Sequence, residues 1–333
     1  QSGNPTVFNT KQVDFDGVDD YLRINSTIGS ITGSISFWLE IDTLGTERYI
    51  YDSRGVGNTG VGFVSISAAS NIVMSSGTSY VNGIATTSIT TGVWQQVIIT
   101  GITLDIDTDI VLSARYNTAD RFFDGNISQV GLWNSTLTAD EVSSLYNHGL
   151  PIDLTTNQAA YESSSNLVGY WRMGSGTLDT YPLIADQTNA TLGSELVTNG
   201  DFATDSDWSK AGSVEIANSS ANFTITSGSF AKISQNISLT NSKTYKLTLQ
   251  VLGDNSGSNI YVRDTATGDN GGLQEVITLV EGTTDYTFYF TANANSNAIY
   301  IKRNTSGGNY QFSIDNVSVK QVNGNPAIMT NQT

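Results

Sequence analysis

The chain has 333 residues, of which 38% are hydrophobic and 14% charged, with a formal net charge of −16. Its length favours two domains, and its charged fraction lies well under the roughly 25% of an average globular protein, so long charged helices fit it poorly. The absence of cysteine excludes disulfides and thiolate metal sites, and the single histidine, His148, argues against a histidine triad or a multi-histidine zinc site. With no basic stripe and acidity in both halves, nucleic-acid binding is not expected, and no apolar run approaches the ~18 residues of a membrane span. The chain opens at Gln1 without Met, which reads as a processed product or part of something longer.

In chain order, short alternating stretches predict strands at 34–39, 61–66 and 94–99, punctuated by Gly, Asn and Asp. Phe15, Trp38, Trp94 and Trp133 are expected to fill the core between two sheets. Residues 103–112 alternate strictly and read as one strand. Its Asp105, Asp107 and Asp109 are spaced too widely along a strand to share one ion, so they read as a solvated face. Asp14, Asp16, Asp19 and Asp20 cluster around Gly17, a loop that suits either a cation or a turn held by Asp side chains. One helix stands out: Thr138 with Glu141 three residues later forms a capping box, and Val142, Leu145 and Tyr146 share one face. It closes a first domain spanning 13–152, preceded by a linker at 1–12.

Residues 153–194 are less regular and read as a connector carrying one strand or arm at 167–173. A second β series follows at 195–322, with strands expected at 213–217, 222–226, 230–237, 244–252, 259–263, 274–280, 284–291, 298–303 and 311–319. Residues 323–333 read as a linker or tail. Its Gly324-Asn325-Pro326 echoes Gly3-Asn4-Pro5, as in a modular array. The expected fold is all-β: two jelly-roll sandwiches in tandem, one short helix closing the first.

FDGVDDYLRI at 15–24, SISFWLEI at 34–41, VWQQVIIT at 93–100 and FDGNISQVGLWNSTLTADEVSSLYNHG at 123–149 resemble a laminin G-like, concanavalin A-like lectin domain. ELVTNGDF at 195–202 and FSIDNVSV at 312–319 resemble carbohydrate-binding modules of families four and nine. That second resemblance implies a structural calcium, held by a Glu just after the Phe and by the Asp of the closing strand. Here the first position is Ala203, which leaves Asp315, with Asp201 in the opening segment. The candidate calcium residues are therefore Asp315, Asp201, Asp16 and Asp19. The combination, with LVGYWRMGSGTLDTYPLIADQ at 167–187, is similar to virion proteins of marine tailed bacteriophages.

In the second domain, alternation turns Leu247, Leu249, Ile260, Val262, Phe288, Phe290, Ile299 and Ile301 inward. It sends Thr248, Gln250, Tyr261, Arg263, Tyr289, Tyr300 and Lys302 outward. Sugar rings stack their C–H faces on aromatic rings while amides and guanidinium groups bond the hydroxyls. Gln250, Tyr261, Arg263, Tyr289 and Tyr300, with Trp208 in a loop, are therefore the candidate carbohydrate-binding residues. The acidic strand motif of the glucanases sharing the lectin fold is absent, and no nucleophile elbow or phosphate loop is present, so no catalytic residue is expected. The resulting expectation is a non-catalytic virion-surface protein, a capsid decoration, head fibre or tail-fibre component. Its partners would be other virion proteins, further copies of itself and host-surface polysaccharide. The alternatives are a purely structural cement or spacer, and a secreted or cell-surface bacterial adhesin or accessory module of a polysaccharide-degrading enzyme.

Overall fold

The computed structural model describes residues 11–331 apart from 27, 55–59, 107–108, 255, 266–269 and 305–307. The molecule is all-β, with every strand pair antiparallel and one α-helix, Ala139–Tyr146, among the described residues. It divides into two units, one comprising residues 1–191 with 323–333, the other residues 192–322.

The first unit is a sandwich of two seven-stranded sheets. In one, strands run in the order Ile84–Ala85, Thr78–Val81, Gln95–Leu104, Ile31–Ile41, Asp124–Trp133, Val13–Asp16, with Leu167–Trp171 also paired to Asp124–Trp133. In the other, the order is Leu183–Ile184, Ala327–Thr330, Tyr21–Asn25, Asp109–Leu112, Arg48–Asp52, Phe63–Ile66, Ile72–Met74. Period-two alternation puts Ile35, Phe37, Leu39 and Ile41 of one strand into the buried layer between the sheets, with Phe15, Leu22, Ile24 and Ile110.

The opposite face of the first sheet carries a second, smaller core. There Trp133, Ile98, Ile152, Leu154, Tyr161 and Tyr170 pack with Val142 and Leu145 of the helix. The capping box is formed: the Thr138 hydroxyl accepts from the Glu141 N–H, and the Glu141 carboxylate accepts from the Thr138 N–H. Trp133 donates its indole N–H to the Tyr161 hydroxyl at 2.9 Å, which donates on to the Leu154 carbonyl. Of the four aromatic residues expected between the sheets, only Phe15 lies there. Trp133 belongs to the helix-covered face, Trp38 stacks on Tyr146 of the helix, and Trp94 is 37% exposed. Neighbouring residues on a strand face opposite ways, so Trp38, between Phe37 and Leu39, cannot share their side.

Three boundaries differ from those read in the sequence. Residues 103–112 are not one strand: Gln95–Leu104 ends in the first sheet and Asp109–Leu112 begins in the second. Asp107 lies outside the described residues, Asp109 pairs with Arg23, and Asp105 accepts from Ser30. The stretch read as a connector, 153–194, supplies two strands and the buried Tyr161, Tyr170, Trp171 and Ile184 to the first unit. The stretch read as a tail supplies Ala327–Thr330, which sits between Leu183–Ile184 and Tyr21–Asn25.

The second unit is thus an insertion within the first rather than a domain after it. Its two attachment points are bonded together, the Asn323 N–H to the Thr191 carbonyl at 3.0 Å and the Asn323 amide to the Thr191 hydroxyl at 2.9 Å. Gly324-Asn325-Pro326 is the return into the sandwich, not a linker: the Asn325 carbonyl accepts from the Trp171 indole at 2.8 Å, and its N–H reaches the fully buried Asp186. The similar Gly3-Asn4-Pro5 lies outside the described residues.

Inside the second unit, one sheet runs Val214–Ile216, Ala221–Ile225, Tyr310–Val322, Thr244–Gly253, Gly282–Thr291, with Leu192–Glu195 also on Tyr310–Val322. The other runs Ser209–Gly212, Ala231–Asn236, Ala298–Arg303, Asn259–Arg263, Gln274–Thr278. Most successive strands cross from one sheet to the other, the wrapping of a jelly roll. All eight residues expected to point inward lie in or against its core.

Candidate functional site

The residues expected to form one outward face occupy two. Gln250 and Tyr289 lie on the six-stranded sheet, on strands Thr244–Gly253 and Gly282–Thr291. Tyr261, Arg263, Tyr300 and Lys302 lie on the five-stranded sheet. Tyr261, Tyr300 and Lys302 are half-buried, but Arg263, expected to offer its guanidinium outward, is only 7% exposed because it lies down against the Tyr261 ring. Gln250 donates to Asp285 at 2.9 Å, and Tyr289 stands opposite Lys246. Strand parity places a side chain in or out but does not assign the strand to a sheet, so two surfaces merged in the sequence reading. Trp208 offers no surface to a sugar. It is 6% exposed, packs on Phe202 at 5.1 Å and donates its indole N–H to the Asn199 carbonyl at 2.9 Å.

On the five-stranded sheet the register builds two adjacent rows. One reads Ala211, Lys232, Lys302, Tyr261, Val276 across the strands; the next reads Ser209, Ser234, Tyr300, Arg263, Gln274. Cations and rings interlock between the rows. The Arg263 guanidinium lies 4.1 Å from the Tyr261 ring centre, Lys302 5.2 Å from Tyr261 and 5.9 Å from Tyr300, and Lys232 5.2 Å from Tyr300. Burial, followed by the charges of Arg263 and Lys232, lowers the Lys302 pKa, while burial raises that of Tyr300. Lys232 was missed in the sequence because its strand offered one isolated lysine; only the pairing with Lys302 brings it to the tyrosines.

In the first unit, Asp16, Asp19 and Asp20 each bring a carboxylate oxygen within 4.8 Å of the others. Gly17, at φ +72°, makes the tight turn, and a Cβ there would meet that of Asp124 at 2.8 Å. Asp16 accepts from the Val18 N–H at 2.8 Å, and Asp20 accepts from the Asp16 N–H at 3.1 Å. Asp20 is 4% exposed, and its second oxygen is buried without a hydrogen-bond partner. An orphaned buried oxygen beside two exposed carboxylates fits a hard divalent cation such as calcium. Asp201 and Asp315 join no such group among the described residues. Asp201 accepts from the Ala203 N–H, and Asp315 turns both oxygens to Asn316.

Burial, offset in part by the Asp16 N–H and reinforced by the charges of Asp16, Asp19 and Asp14, raises the Asp20 pKa. Without metal, the folded state then holds that proton more tightly than the unfolded chain. The stabilisation is complete below the unfolded carboxylate value of about 3.9 and is lost as pH rises through the folded value. Asp20→Asn is accordingly expected to stabilise the metal-free first unit by about 1 kcal/mol at neutral pH. With calcium at about a hundredfold its dissociation constant, the native protein should gain about 2.7 kcal/mol that the variant lacks. Thermal melts of both proteins in calcium and in chelator check this, and a native melt indifferent to calcium would remove the metal.

A further feature missed in the sequence is a cavity of about 240 Å³ lined by Trp38, Trp94, Lys11, Gln12, Ser128 and Pro151. Expecting Trp38 and Trp94 between the sheets hid it.

Fold and surface together define the class: an all-β protein of two sandwiches, one inserted in the other, with a cationic aromatic face on the inserted one. No family model and no curated protein matches the chain. Among solved structures it is similar to a CBM4 module at 16% identity and TM-score 0.30, over 34% of this chain and 94% of that one. It is also similar to the N-terminal cellulose-binding domain of Cellulomonas fimi β-1,4-glucanase C, at 14% and 0.29 over 37% and 93%. A third is the enzymatically active domain of bacteriophage CBA120 tailspike protein 4, at 18% and 0.31 over 38% of this chain and 21% of that one. At such values the sandwich is argued from this chain's own strands.

Proposed function

We propose that the chain is a non-catalytic carbohydrate-binding protein of a virion surface, a capsid decoration, head fibre or tail-fibre component that engages host polysaccharide. The observation that carries the glycan reading is the half-buried pair Tyr261 and Tyr300, set beside Lys232 and Lys302 on one sheet face. The rings supply flat apolar platforms, and the lysine amines donate to hydroxyls. No carboxylate stands in either row, so the acid–base pair of glycoside hydrolysis has no members there, which supports binding without turnover. The virion part of the reading rests on the sequence resemblance alone. Many copies on a particle would turn weak single contacts into avidity. Calcium at Asp16, Asp19 and Asp20 would brace the first unit.

A glycan array probed with the multimerised chain tests the reading. Binding is expected, and Tyr261→Ala or Tyr300→Ala should weaken it about tenfold, the scale of one lost stacking platform. Gln250→Ala and Tyr289→Ala, on the other sheet, should leave it unchanged. Binding to no glycan would leave a structural cement or spacer as the better account.

A further inference from the structure

Resting on that reading, we infer that the polysaccharide taken by the five-stranded face is anionic, and that Lys232 and Lys302 recognise its carboxylate or sulfate groups. The chain carries 31 acidic against 15 basic side chains, yet the two rows of this face present two half-buried lysines and no acid. Lys232 and Lys302 stand directly opposite each other on neighbouring strands, a like-charge pairing that costs stability. Lys302 registers the cost, since its neighbours' charges add to its burial in opposing protonation. The tyrosine rings hold the two lysines in place through their π faces but do not neutralise them. An anionic group over the Lys232–Lys302 pair removes the repulsion and makes charge-assisted hydrogen bonds, while the sugar ring bearing it lies on Tyr261 or Tyr300. A neutral glycan would leave the repulsion standing. A nucleic-acid duplex, charged at every phosphate, would meet the acidic remainder of the surface, whereas a sparsely charged polysaccharide meets only this face.

The test uses the full chain against immobilised polysaccharides: neutral glucans and galactans; polygalacturonate with its methyl ester; carrageenan with its desulfated form; and duplex DNA as a polyanion without exposed sugar faces. Binding is expected to the charged members, to fall at least tenfold on esterification or desulfation, and to weaken as salt is raised. The two charged arms separate carboxylate from sulfate as the source. Lys302→Gln and Lys232→Gln should each cost about tenfold in binding and flatten the salt dependence, while melting does not fall and rises slightly as the like-charge repulsion is relieved. Binding to neutral glycans that survives both lysine changes but not Tyr261→Ala would overturn this inference and leave the glycan reading standing. Binding to none of the polysaccharides would sink both. DNA bound as tightly as the charged polysaccharides would overturn the inference in favour of unspecific anion attraction.

Discussion

Ending the chain at Val322 is expected to abolish cooperative folding of the first unit while leaving residues 192–322 folded. Ala327–Thr330 lies between two strands of its sheet, so its loss unpairs Leu183–Ile184 on one side and Tyr21–Asn25 on the other. It also removes the buried Ala327, strips the Trp171 indole of its acceptor and takes the Asn325 donors from the fully buried Asp186. A lost strand and two orphaned buried polar groups sum to on the order of 5 kcal/mol, comparable with the whole stability of a domain. The converse deletion should be tolerated. Joining Thr191 to Asn323 directly bridges residues that already hydrogen-bond, so the first unit should fold without its insertion. Calorimetry reads both outcomes as the loss or survival of one of two transitions. A truncated chain melting like the intact one would show Ala327–Thr330 to be dispensable.

Arg54→Ala is expected to cost the first unit about 3–5 kcal/mol, because it leaves an unpaired carboxylate in the interior. Asp52 is fully buried and takes the guanidinium through two parallel bonds, 2.9 Å from Nε and 2.7 Å from an Nη. Arg54 also lies against the rings of Phe63, Tyr49 and Tyr116, at 4.5, 5.3 and 5.6 Å. Burial alone would lower its pKa, and the Asp52 carboxylate more than reverses that. The double change Asp52→Leu with Arg54→Met removes both charges and should cost less than Arg54→Ala, although two backbone donors, Arg54 N–H and Tyr116 N–H, then lose their acceptor. Urea unfolding of the single and double variants decides it. Equal losses would mean that packing of the guanidinium, not the uncompensated charge, dominates.

What the sequence by itself determined is local. Alternation set which side chains of a strand face inward, and all eight inward assignments in the inserted unit hold. The Thr138 and Glu141 cap is written within four residues, and it forms. The Asp-rich loop around Gly17 was visible as a cluster, but that Asp20 alone is buried with an oxygen left over required the fold around it.

The tertiary structure decided what depends on long-range pairing. Strand parity is the same whichever sheet a strand joins, so Gln250 and Tyr289 looked like companions of Tyr261 and Tyr300, and only the sheet order separated them. Lys232 meets Lys302 across 70 residues of chain through one register. The four-residue strand Ala327–Thr330 has a weak signal of its own and is held by residues far back in the chain, from Tyr21 to Ile184. Short strands draw their stability from partners rather than from propensity, so the stretch read as a tail is an interior strand, and the domain read as following the first is inserted in it.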